Sequence, residues 1–163
     1  MHISIKNKYL IYNNYRIKCA VGKRGIGVKK KEGDFITPIG IYRIKFILYR
    51  KDRVKNFRTT LKKIPITNEI GWCDDPKSKK YNKFLNLPFN FSSEKLFRKD
   101  NIYDIILILN FNTNPVIKNK GSAIFIHIAT KNYNNTKGCV AIKKRELLKM
   151  IKSIKKNTKI IIM

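Results

Sequence analysis

Residues 121–142 read GSAIFIHIATKNYNNTKGCVAI. An apolar run over 123–128 carries His127. A polar loop follows, and a second short apolar run, 140–142, comes directly after Cys139. Apolar runs of this length bounded by turn-type residues read as strands. The stretch therefore sets an imidazole on one strand and a thiol at the mouth of the next, which is how a cysteine nucleophile and its base are assembled. The chain holds only two histidines and three cysteines, so few other pairings are open to it.

The β pattern continues on both sides. Residues 102–111, like 123–128, are strongly apolar and read as central strands. Residues 8–12 and 15–21 are rich in Tyr, Ile and Val, and Asn13-Asn14 between them reads as a two-residue hairpin turn. Residues 22–38 form a glycine- and lysine-rich loop. Residues 40–49 (GIYRIKFILY) begin with alternation and become continuously apolar, as a half-buried strand does. Residues 51–63 are polar and basic with weak structure signals, and 64–70 read as a short strand. Gly71, Pro76 and Pro88 among scattered aromatics mark 71–99 as a long ordered excursion. The spacing predicts one helix over 143–156, because Leu147, Met150, Ile151 and Ile154 fall at i, i+3, i+4 and i+7. Residues 158–163 read as a closing strand. Strands before and after a single helix predict a mainly β fold with sheet-on-sheet packing and one helical cover. No repeat or low-complexity linker interrupts it, and 163 residues are expected to form one domain over 1–163. His2 lies at a terminus expected to be mobile and receives no role.

The net charge of +27 invites a nucleic-acid reading. The basic residues are 29 Lys and only 8 Arg, spread along the whole chain. With 27 Ile and 17 Asn, lysine belongs to a set that makes up 73 of 163 residues. These are the residues with the most adenine- and thymine-rich codons, so codon bias accounts for the surface. Base and phosphate readout favours the two-pronged guanidinium instead. We read a biased surface rather than a specific nucleic-acid site; binding to polyanions at low salt is expected either way. No apolar run reaches the roughly 18 residues of a membrane span. The N-terminal stretch MHISIKNKYLIYNNYRIK has neither a signal-peptide core nor a small-residue cleavage site.

Cys19, Cys73 and Cys139 show no C-x-x-C spacing and supply no four-ligand zinc set, so no metal is expected. The odd count fits one working thiol with two bystanders. An exported chain has the option of a Cys19–Cys73 disulfide, which the sequence leaves open.

Beyond these readings, the chain resembles the L,D-transpeptidases of the YkuD type. Gly121 to His127, a loop, then Thr136-Lys137-Gly138-Cys139-Val140 resembles that family's catalytic signature. Glu32-Gly33-Asp34-Phe35-Ile36-Thr37-Pro38-Ile39-Gly40 resembles its GD-x-x-TP-x-G segment. Gly71-Trp72-Cys73-Asp74-Asp75-Pro76 followed by Tyr81-Asn82 resembles a motif of one subgroup, in which Tyr103-Asp104, Asn112 and Pro115 also find counterparts. The likeness covers roughly residues 19–162, with four separated motifs in the right order. It implies a YkuD-like β-sandwich with one helix in the C-terminal region and a long flanking loop.

The resemblance also implies a chemistry: acyl transfer in peptidoglycan. Cys139 is expected to attack the carbonyl joining a diamino acid to D-alanine in a tetrapeptide stem. The thioester then passes to the side-chain amine of a second stem, giving a 3→3 cross-link without metal or organic cofactor. His127 is the expected base and acid, oriented in the family through a backbone carbonyl; no Asp or Glu lies between Asp104 and Glu146. The N–H groups of Gly138 and Cys139 are the expected oxyanion donors. Thr136, Lys137, Trp72, Asp74, Tyr81 and Asn82 are the expected substrate contacts. Several bland readings stand beside these. Trp72 serves equally as a core anchor. Asp74 and Asp75 are expected rather to pair with nearby lysines than to attract an acceptor ammonium. Gly33, Thr37, Pro38 and Gly40 read as turn geometry. Lys137 stands where many relatives carry histidine, Ala141 stands near where many carry arginine, and the His127–Cys139 loop is short.

The alternatives are L,D-carboxypeptidase action or D-amino-acid exchange by the same thiol, and a non-catalytic basic module that binds polyanions. The implied partners are peptidoglycan stem peptides, with a monomer expected. The implied place is the periplasm or cell wall, with the cytoplasm as the alternative because no signal peptide is visible.

Overall fold

The computed structural model describes residues 2–163. Its elements run β1 (His2–Lys6), β2 (Tyr9–Tyr12), β3 (Tyr15–Lys18), β4 (Ile26–Gly27), β5 (Thr37–Pro38), β6 (Gly40–Tyr49), β7 (Lys63–Pro65), β8 (Ile70–Cys73), β9 (Phe84–Asn86), β10 (Ser93–Lys95), β11 (Ile105–Leu109), β12 (Phe125–Ile128), β13 (Val140–Ile142), α1 (Lys144–Ser153) and β14 (Lys159–Ile162).

The main sheet has the order β13-β12-β11-β6-β14-β1-β2-β3, with β7 also paired to β6. Its two ends meet. Ala20, just past β3, bridges antiparallel to Ala141 in β13 with N–H···O distances of 2.8 and 2.9 Å, and Gly22 bridges to Thr136. The expected layers are thus made largely by one sheet wrapped around its own core. That core joins Ile3, Ile5, Leu107 and Ile126 of the strands to Leu147, Met150 and Ile151 of α1. A second, smaller sheet, β10-β8-β9, covers the opposite face of β6, β11 and β12.

This arrangement explains why β11 (IILIL) is apolar throughout. Successive side chains of a strand point to opposite faces. Ile105, Leu107 and Leu109 enter the main core, while Ile106 and Ile108 meet Trp72 and Phe125 under the second sheet. β12 alternates in the same way, with Ile126 and Ile128 facing the main core and Phe125 the second layer. His127, two residues after Phe125, shares Phe125's face.

Helix α1 has Glu146 in its first turn, a favourable sign at the N-terminal dipole, but Lys143 makes no side-chain cap. Its stability therefore rests on packing. Leu147, Met150 and Ile151 are fully buried, and each contributes about 2 kcal/mol by leaving water. The helix is shorter than the apolar periodicity predicts. Ile154 keeps its buried place but turns to an extended conformation (φ −70, ψ 133). A turn closed by Thr158 N–H to Lys155 O (2.9 Å) and Lys155 N–H to Thr158 Oγ1 (3.0 Å) then leads into β14.

The Asn13-Asn14 hairpin is present, with φ of 45 and 65 at the two turn residues and Tyr12 opposite Tyr15. Asn tolerates this left-handed region better than most residues, and two such residues make the turn that suits strand twist. Two expectations are corrected. His2 is not at a loose end: β1 lies inside the sheet, parallel to β14 and antiparallel to β2, with Ile3 and Ile5 fully buried. The strand expected over 64–70 is two strands, β7 and β8, in different sheets. The excursion 71–99 carries β9, β10 and most of β8. The three cysteines are free thiols, so the open Cys19–Cys73 pairing is not made. No helix among the described residues is long and apolar enough to cross a membrane.

Candidate active site

His127 sits on β12, opposite Ile106 of β11 on one side and Ala141 of β13 on the other. Its Nδ1 lies 3.0 Å from the carbonyl oxygen of Ile128. A carbonyl only accepts, so this contact places the proton on Nδ1 and leaves the lone pair on Nε2. The ring stands edge-on to Tyr103, with centroids 5.3 Å apart. Burial lowers its pKa to about 4, only partly opposed by the Ile128 bond, so the imidazole is neutral at physiological pH.

Cys139 precedes β13, which runs parallel to β12 with Ile126 opposite Val140 and His127 opposite Ala141. That register brings the sulfur beside Phe125, whose N–H donates to Sγ at 3.4 Å; the S–H donates to Ala123 O at 3.0 Å. Burial pushes the thiol up to about 12, and the Glu94 charge adds to this; the Phe125 N–H and the Lys29 charge oppose it. At rest, both groups are neutral. The resting site therefore holds a thiol and an imidazole rather than a thiolate–imidazolium ion pair.

The turn before Cys139 is tied by Thr136. Its hydroxyl donates to Cys139 O (2.6 Å) and accepts from Gly138 N–H (3.1 Å). Gly138 has φ +138, and a Cβ there would stand 3.0 Å from Ile36 O, so the turn needs glycine. The Gly138 N–H, expected to face an oxyanion, already has a partner in this resting state. That N–H is occupied by the Thr136 hydroxyl, which leaves the Cys139 N–H as the other expected donor.

His127 and Cys139 open onto one groove of about 810 Å³. Lys29, Asp74, Glu94, Tyr103, Thr136 and Lys137 also line it. Glu94 accepts the Tyr103 hydroxyl hydrogen at 2.6 Å; burial raises its pKa, and the neighbouring Asp74 charge raises it further. Asp74 Oδ1 is buried and has no hydrogen-bond partner among the described residues. The expected lysine pairing of Asp74 and Asp75 is corrected. Among the described residues neither forms an ion pair, and Asp75 instead accepts N–H bonds from Lys77 (2.9 Å) and Ser92 (3.4 Å). No group of three His, Cys, Asp or Glu among the described residues converges as metal ligands do.

The model of the YkuD family, the L,D-transpeptidase catalytic domain, matches residues 2–162. The chain belongs to the YkuD family. No curated protein matches it. The family is one of peptidoglycan acyltransferases of the L,D-transpeptidase type, so this YkuD chain carries that catalytic fold over essentially its whole described length.

Within the YkuD fold, the structure separates the expected site residues into two groups. Cys139, His127, Thr136, Lys137 and Asp74 line the groove. Trp72, Tyr81 and Asn82, also expected to contact substrate, lie outside its lining. All three are buried and bonded inside. Trp72 packs edge-on to Phe125 with centroids 5.2 Å apart, and its Nε1–H donates to Asn82 Oδ1 at 3.0 Å. The Tyr81 hydroxyl donates to Glu32 and accepts from Gly121 N–H. Glu94 and Lys29 escaped the sequence reading. Neither carries a local signal, because only the folded excursion and the 22–38 loop bring them to the groove.

Proposed function

We propose that this chain is a cysteine L,D-transpeptidase that forms 3→3 peptidoglycan cross-links from a tetrapeptide donor. The observation that carries the reading is an imidazole with its Nε2 lone pair left free, sharing a groove with the Cys139 thiol, in a chain of the YkuD family. In this mechanism the thiol hydrogen swings from Ala123 O to His127 Nε2 as Sγ attacks the carbonyl that joins the diamino acid to D-alanine. The Cys139 N–H stabilises the oxyanion; one such donor is worth about 3 kcal/mol in the transition state. His127 returns the proton to the departing D-alanine amine, leaving a thioester. The acceptor amine attacks the thioester, and Cys139 leaves as the thiol. Asp74 and Glu94 give the groove a negative side in a chain of net charge +27, which suits an incoming ammonium. Lys137 and Thr136 complete the wall, and Thr136 holds the nucleophile's turn. The protein acts as a single-domain monomer in the periplasm or at the cell wall, where that substrate lies.

The test is incubation with tetrapeptide muropeptides, read by mass spectrometry. Wild type is expected to yield 3→3 dimers and a carbapenem adduct on Cys139; the Cys139→Ala variant is expected to yield neither. Equal dimer formation by Cys139→Ala sinks the proposal. D-Alanine release without dimers assigns hydrolysis by the same thiol. Steeply salt-dependent polyanion binding that survives Cys139→Ala, with no turnover, assigns a binding module.

A further inference from the structure

Among the described residues Lys29 is the one buried lysine of the chain's 29. Its side chain and that of Asp34 are each 3% exposed, and Nζ donates to Asp34 Oδ1 at 2.6 Å. Asp34 is held from its other sides by the N–H groups of Ile36 (3.0 Å), Lys30 (2.8 Å) and Lys31 (3.3 Å). Burial works against the Asp34 charge, but the Lys29 bond and these N–H groups outweigh it and hold its pKa at about 2. Asp34 is therefore a fixed anion that holds the Lys29 ammonium in place. An ammonium has three donors, and Asp34 takes one.

The surroundings are shaped around this side chain. The Lys29 stem lies directly over Gly121, and a Cβ at that position would collide with Lys29 Cε and Cδ. Nζ belongs to a residue that lines the groove together with Cys139, and its charge reaches the sulfur. The acid beside it in the groove wall, Glu32, is bonded to the Tyr81 hydroxyl.

We infer that Lys29 is the subsite for the free carboxylate that ends the donor stem, an inference that rests on the transpeptidase reading. In a tetrapeptide donor the residue after the scissile bond is the last one. Its carboxylate is two bonds from the scissile nitrogen, so a cation fixed in the same groove as the nucleophile reads whether the chain stops there. A longer or amidated stem offers no charge at that point, and the buried ammonium is left facing an uncharged group. Asp34 acts as the positioning residue and Lys29 as the specificity-determining one.

The test compares wild type, Lys29→Met and the charge-neutral double variant Lys29→Met/Asp34→Asn, which does not strand a buried carboxylate. Two readouts are taken. The first is kcat/KM for a tetrapeptide donor with a free terminal carboxylate against the same donor ending in a carboxamide. Wild type is expected to favour the carboxylate by about 10- to 100-fold, and the variants to lose that preference. The second is alkylation of Cys139, followed by peptide mass mapping, with iodoacetate against iodoacetamide. The ratio of the two rates is expected to fall about tenfold in the variants. A variant with wild-type secondary structure that keeps both the donor preference and the alkylation ratio overturns the inference. If wild type turns over neither donor, the transpeptidase reading has failed. The alkylation ratio then decides alone whether Lys29 presents its charge to an anion at Cys139: a fall upholds the anion subsite, and an unchanged ratio overturns it.

Discussion

The carbonyl oxygen of Ala123 lies 3.0 Å from the sulfur of Cys139 and receives its S–H hydrogen. Ala123 is itself held, because its N–H donates to Asn82 Oδ1 at 3.1 Å. Asn82 also accepts from Trp72 Nε1–H and donates through Nδ2 to Phe111 O (3.0 Å) and Asn112 O (2.7 Å). One buried amide therefore joins the excursion, the segment after β11 and the residue that anchors the nucleophile.

Replacing Asn82 by Ala removes all four bonds and strands the buried indole N–H, the Ala123 N–H and two carbonyls. We expect a loss of about 2–4 kcal/mol, read by denaturant melts, together with a fall in kcat as Ala123 loosens. An Asn82→Ala protein as stable as wild type contradicts the hub.

The depressed pKa of His127 makes stability depend on pH. An unfolded histidine titrates near 6.5 and the folded one near 4. Between these values the unfolded chain binds more protons, so stability is full above about pH 6.5 and declines as pH falls towards 4. The loss attributable to this group is at most about 3 kcal/mol. Melting temperatures across that window are expected to fall less steeply for His127→Asn than for wild type. The acid limb of kcat/KM is expected near pH 4; a limb near 6.5 would show that the free imidazole is not desolvated.

At Thr136 the hydroxyl is both donor and acceptor within the turn that aims Cys139. Thr136→Val keeps the shape and loses both bonds, so we expect about 1 kcal/mol in stability but at least tenfold in kcat. Thr136→Ser restores the hydroxyl and is expected to restore most of the rate. A Val variant of undiminished kcat rules out the positioning role.

Trp72 supports Phe125 from behind the groove. Trp72→Phe removes volume and one donor and is expected to cost about 1–3 kcal/mol. KM for the donor stem should stay near wild type. A tenfold rise in KM with unchanged stability would return Trp72 to the groove wall.

Local patterns were legible where one residue type answers one local demand. Asn13-Asn14 marks its hairpin because few side chains accept positive φ. Leu147, Met150 and Ile151 mark α1 because a 3.6-residue period shows which face is buried. β1 is not legible in this way: its two-residue turn to β2 is made by Asn7-Lys8, at φ 49 and 61, a pair without a strong turn signature. The continuous apolar run of β11 shows double-sided burial but not what lies on each side.

The order of residues along the chain was enough to determine a mainly β YkuD fold with one helix, and to single out His127 and Cys139 as the pair to examine. Strand identity and a short loop are local properties, so they survive in one dimension. Tertiary structure alone decided which groups face that pair. Lys29 and Glu94 come from segments far apart in sequence and reach the Cys139 groove only when the sheet closes and the excursion folds over it. Burial, too, exists only in three dimensions. It withdraws water from His127 and Cys139 and leaves both neutral, a state no spacing of residues encodes.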